Sequence, residues 1–106
     1  MTHEALRRAI ETAPAILVYY STPDCGVCTV LRPKVEELIR RRFPSMSFLY
    51  VNAEESPEAA AQESVFAVPT VVAYFGGREH VRKSRHFGLD ELAAGIERPY
   101  EILFSS

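Results

Sequence analysis

Only two cysteines occur in this 106-residue chain, three positions apart in Ser21-Thr22-Pro23-Asp24-Cys25-Gly26-Val27-Cys28. This C-x-x-C stands where an apolar run, Ala15-Ile16-Leu17-Val18-Tyr19-Tyr20, gives way to a pattern of helical period. A cysteine at a helix start meets unpaired N–H groups and the positive end of the helix dipole, and both favour thiolate over thiol. One helical turn brings the second cysteine close enough to form a disulfide with the first. The same spacing supplies half of a zinc site, so these residues alone leave redox chemistry and metal binding both open.

The flanking sequence must position that pair. Ala5, Leu6, Ala9 and Ile10 recur at three- and four-residue steps and predict a first helix over 3–12, capped by Thr2 or His3 and stopped by Pro14. Residues 15–21 are short and uniformly apolar, as in a strand buried on both faces. Val27, Leu31, Val35, Leu38 and Ile39 share one stripe and predict a long helix over 26–42, kinked by Pro33. Residues 46–52 read as a second buried strand. Ser56-Pro57-Glu58 opens a short helix reaching about residue 64. A third strand over 70–75, a Gly76-Gly77 turn and a polar edge strand over 80–87 follow.

A last helix opens at 88–92 and ends at Pro99. The apolar tail Tyr100-Glu101-Ile102-Leu103-Phe104 then either folds back onto the body or forms a patch used in dimerisation. The order α-β-α-β-α-β-β-α predicts an α/β fold, one domain over 1–106, with a central mixed sheet flanked by helices on both faces.

Composition narrows the function classes. Apolar and charged fractions of 47% and 25% are those of an ordinary globular protein, which argues against disorder. A net charge of −2 gives no basis for nucleic-acid or acidic-membrane partners, and Arg40-Arg41-Arg42 reads as a solvated helix C-terminus. No run approaches the length of a membrane span, and the first residues lack an apolar signal region. A cytoplasmic location follows as the expectation, with the cysteines catalytic or metal-binding rather than structural. His3, His80 and His86 are scattered, so no metal is expected.

Taken together, these features resemble thioredoxin over nearly the whole length of the chain. The resemblance rests on the element order, the C-x-x-C at a strand-to-helix junction and Pro33 five residues after the second cysteine. Asn52 at the end of the second strand, Val68-Pro69-Thr70 before the third, and Phe75-Gly76-Gly77 complete it. It implies that Cys25 is the exposed nucleophile, Cys28 the buried resolving thiol, and Pro69 a cis-proline facing the disulfide, with Thr70 completing the tripeptide. It further implies that the Val68 backbone pairs with a substrate polypeptide as an added strand. The implied activity is reduction of protein disulfides by a Cys25/Cys28 dithiol–disulfide cycle. No cofactor beyond that disulfide is needed, and electrons come from a thioredoxin-reductase-like partner. A monomer or weak dimer is expected.

Three positions depart from the family pattern. Asp24 stands where the family usually has tryptophan; it reads as a helix cap or as a carboxylate opposing the Cys25 thiolate. Gly26-Val27 replaces Gly-Pro, adding an amide donor at Val27 that can act on a thiolate. Tyr19 and Tyr50 align with a buried aspartate and its lysine partner, so the base for the resolving step is missing, with Glu54, Glu55 and Asp24 as substitutes to consider. These departures keep two other readings open: a non-catalytic interaction, chaperone or redox-switch module, and an oxidant or isomerase.

Overall fold

The computed structural model describes residues 1–105. Its elements run α1 (His3–Thr12), β1 (Ala15–Ser21), α2 (Gly26–Arg42), β2 (Ser47–Asn52), α3 (Pro57–Gln62), β3 (Thr70–Phe75), β4 (Arg78–Ser84) and α4 (Leu89–Phe104). The four strands form one sheet in the order β2-β1-β3-β4. β1 runs parallel to β2 and antiparallel to β3, and β3 is antiparallel to β4. The mixed sheet predicted from the element order is therefore present.

β1 and β3 are buried along their whole length, which explains their uninterrupted apolar runs. Alternation across β1 divides the core in two. Leu17 and Tyr19 face α2 and α4 with Val35, Ile39, Leu92 and Ile96. Ile16, Val18 and Tyr20 face α1 and α3 with Leu6, Ile10, Ala59 and Ala60. Gly76 and Gly77, at φ of 61° and 80°, make the tight turn between β3 and β4.

Several expectations need correction. β2 is an edge strand in which Val51 alone is buried, because strand order cannot be read from local hydropathy. β4 stops at Ser84 rather than Phe87, since Arg85 takes a left-handed φ of 63° that breaks the extended backbone. Pro99 does not end the last helix, which continues to Phe104. Proline removes one internal hydrogen bond there, but packing holds the extra turn. Tyr100 meets Phe43 edge-on at 5.1 Å and Phe104 at 4.7 Å, and its hydroxyl accepts a hydrogen bond from the Ser45 amide at 3.0 Å. The tail thus splits: Tyr100 and Phe104 pack inward, whereas Ile102 is 71% exposed.

Candidate active site

The two cysteines lie at the C-terminal end of β1, where parallel α/β sheets commonly place their chemistry. Cys25 is the N-cap of α2, and Cys28 occupies the third helical position. They are joined as a disulfide with Cα atoms 5.2 Å apart. Cap geometry aims the Cys28 amide at Cys25 Sγ, 3.1 Å away. That donor and the helix N-terminus together favour negative charge on this sulfur after reduction.

This arrangement corrects two expectations. Asp24 is not the cap; the cap is Cys25, and Asp24 lies exposed before it. The amide that reaches sulfur belongs to Cys28 and not to Val27, because an N-cap side chain bonds the second or third amide of the helix.

The cysteines differ sharply in environment. Cys28 is 3% exposed and packed in the core, whereas Cys25 is partly exposed. Cys25 borders a groove of about 390 Å³ shared with Val27, Val68, Pro69, Arg85 and His86. Val27 therefore leaves the core stripe expected for it: it is 55% exposed and lines the groove instead. The Val68–Pro69 bond is cis. Thr70, fully buried, donates to the Ala67 carbonyl at 2.7 Å and meets Ser84 Oγ at 2.9 Å, pinning the loop that carries Pro69. The Pro69 carbonyl accepts from the Arg85 amide at 2.8 Å. Gly26 is exposed at the helix start, with open space around its Cα.

Behind Cys28 is a second opening, a cleft of about 380 Å³ lined in part by Ser21, Cys28, Thr29, Arg32, Glu36 and Tyr50. Tyr19 and Tyr50 are register partners across β1 and β2, stacked at 6.4 Å. The buried Tyr19 hydroxyl donates to the Cys28 carbonyl at 3.2 Å, and burial pushes its phenol up to about 12. A phenol so weakly acidic stays protonated at neutral pH, so Tyr19 is a hydrogen-bond donor and no base.

Glu54 and Glu55 are exposed, tied through their amides to Asn52 Oδ1, and neither lines this cleft. The charged residues that do are Arg32 and Glu36, which nothing in the local sequence but their spacing sets apart from the other charged positions of α2. Their spacing of four and eight residues from Cys28 puts all three on one helix face, which was the available signal. Phe66 is 81% exposed two residues before Val68. Among the described residues no group of three or more His, Cys, Asp or Glu side chains is placed to hold a metal, and no helix is long and apolar enough to cross a membrane.

Comparison with known proteins matches this geometry to one family. The sequence model of thioredoxin matches residues 1–98. The thioredoxin-like protein YdfQ of Bacillus subtilis (strain 168) is 29% identical over 80% of this chain and 75% of its own length. Thioredoxin M4, chloroplastic, of Arabidopsis thaliana is 31% identical over 68% of this chain, which spans 37% of that longer relative. Thioredoxin 1 from Thermosipho africanus TCF52B superposes with a TM-score of 0.75 at 30% identity, over 82% of this chain and 96% of that one. With its disulfide at the start of α2 beside a cis-proline, the chain belongs to the thioredoxin family and is a thiol–disulfide oxidoreductase.

Proposed function

We propose that the protein reduces disulfides of other proteins, with Cys25 as nucleophile and Cys28 as the resolving thiol. The observation that carries this division is their unequal access: Cys25 borders the groove and Cys28 is buried behind it. A Cys25 thiolate attacks the substrate disulfide, and a mixed disulfide forms as the first substrate sulfur leaves. Cys28 then attacks Cys25 Sγ, closing the Cys25–Cys28 bond and releasing the second substrate sulfur.

The groove suits an extended polypeptide. Neither the N–H nor the C=O of Val68 has a hydrogen-bond partner within the described residues, leaving a short free backbone edge beside Cys25. Val27 and Phe66 give apolar contact at or near that edge, and the Arg85 guanidinium and the His86 ring line its rim. Pro69 shares the groove lining with Cys25, and Thr70 pins the loop that carries it. The reduced state is restored by a thioredoxin-reductase-like flavoprotein, and the disulfide is the redox group. The chain acts in a reducing compartment, the cytoplasm, where two cysteines used as one redox pair fit better than a structural bridge.

The test is insulin disulfide reduction by wild type and Cys25→Ser, with the Cys25–Cys28 reduction potential measured alongside. Turnover by wild type, background rate for Cys25→Ser and a reducing potential are expected. Equal rates for the two proteins, or a strongly oxidising potential, would overturn the proposal.

A further inference from the structure

Resolution of the mixed disulfide needs a thiolate at Cys28, and burial opposes that charge. The titratable or charged groups around Cys28 are Tyr19 from β1, Tyr50 from β2, Arg32 and Glu36 from α2, and Cys25 with the exposed Asp24 before it. Tyr19 already spends its proton on the Cys28 carbonyl. The cleft is the open space onto which Cys28 faces, and its cation is Arg32.

Arg32 is held in place from two sides. Its guanidinium carbon sits 3.9 Å above the Tyr50 ring, and its Nε donates to Glu36 Oε1 at 3.2 Å. Tyr50 stacks on Tyr19, which bonds Cys28, so one chain of contacts runs from the guanidinium to the resolving cysteine. The Arg32 charge also reaches the Tyr19 phenol that bonds the Cys28 carbonyl, where it opposes the rise caused by burial. An exposed i,i+4 pair such as Arg32–Glu36 adds little to stability, so its placement beside Cys28 is its distinguishing property.

We propose that Arg32 is a positioning residue for the resolving step, stabilising the Cys28 thiolate across the cleft. The inference rests on the reading of Cys28 as the resolving thiol. In the step, Cys28 releases its proton to solvent through the cleft and its sulfur lone pair attacks Cys25 Sγ. The Cys25–Cys28 bond forms as the bond from Cys25 to the substrate sulfur breaks, and the departing electron pair stays on that sulfur, which takes up a proton. Across the cycle the two cysteines lose two electrons and the substrate disulfide gains two.

The experiment is rapid mixing of reduced protein with an uncharged peptide disulfide under single-turnover conditions, resolving formation and decay of the mixed disulfide. R32Q should slow the decay about three- to tenfold, equivalent to half to one pKa unit at Cys28, and leave formation unchanged. R32K, which keeps the charge, should recover most of the rate. Because the guanidinium is half-exposed, added salt should slow decay in wild type and close its gap to R32Q. Wild-type decay in R32Q at low salt, or an equal slowing at every salt concentration, would overturn the proposal. Should R32Q not fold, a wild-type decay independent of salt does so by itself. If Cys25→Ser still turns over, the underlying reading fails; if it is inactive and R32Q decays like wild type, the role of Arg32 alone fails.

Discussion

Tyr19 and Tyr20 are adjacent in β1, both fully buried, and burial pushes both phenols up to about 12. They point to opposite faces of the sheet and into opposite kinds of surroundings. The Tyr20 hydroxyl lies 2.9 Å from that of Tyr74, which donates to Glu63 Oε1 at 3.1 Å. His3 and Arg7 bring ring and guanidinium nitrogens to the same carboxylate, at 2.7 Å and 3.3 Å. Arg82 donates to the Glu63 and Ser64 carbonyls, fixing the turn after α3. That network is closed by α1 and α3. Tyr19 instead makes one bond, to the Cys28 carbonyl, beside an open cleft. Residue type and strand are the same; what each face opens onto separates a structural tyrosine from one next to the chemistry. Substitutions on the Tyr20 side should therefore change stability, and those on the Tyr19 side should change rate.

The largest expected effect is on the cysteine side: Cys25→Ser should lose insulin reduction entirely while the far-ultraviolet spectrum stays native. On the other side, Glu63→Ala removes the carboxylate that meets the Tyr74 hydroxyl and His3, while Arg7 keeps Glu11 and the Gly77 carbonyl, and should cost about 1–3 kcal/mol in urea unfolding. Activity per folded molecule should hold; a comparable fall in rate would break the contrast. Tyr100→Ala probes the α4 extension and should cost about 1–2 kcal/mol through the lost Phe43 contact, again with activity intact. Tyr20→Phe and Tyr19→Phe should each cost about 1 kcal/mol. Of the two, only Tyr19→Phe should also alter the decay of the mixed disulfide.

Alkaline pH probes the burial of these two hydroxyls directly. Both phenols ionise at higher pH in the folded chain than the ordinary 10.0, so the unfolded chain loses these protons first. Their contribution is fully present below pH 10 and falls away as pH rises from 10 towards 12. Urea midpoints across that range should decline less steeply in either Tyr→Phe variant than in wild type. An unchanged slope in both would contradict burial as the cause.

The parts legible in the sequence were those set by local pattern. Periodicity and punctuation marked 3–12, 15–21, 26–42 and 70–75, the bounds of α1, β1, α2 and β3. The cysteine pair and Val68-Pro69-Thr70 pointed to the site because their spacing carries the chemistry. Long-range contact decided the rest. The exposure of β2 depends on which strand takes the edge, and helix continuation past Pro99 depends on Phe43, more than fifty residues away. Cleft and Glu63 network are likewise assembled from separate elements: Arg32 with Tyr50, and Glu63 with His3, Arg7 and Tyr74. Asp24 lost the cap to its neighbour because a one-residue shift of a helix start is invisible to propensity.

The central claim, that Cys25 attacks and Cys28 resolves, is tested most directly by trapping. Reduced Cys28→Ser and Cys25→Ser variants are each incubated with oxidised insulin, quenched and separated without reductant. Cys28→Ser should accumulate an insulin adduct linked through Cys25, identified by peptide mass and lost on adding dithiothreitol, while Cys25→Ser should accumulate none. Adducts of equal yield in both variants, or an adduct on Cys28 alone, would contradict it.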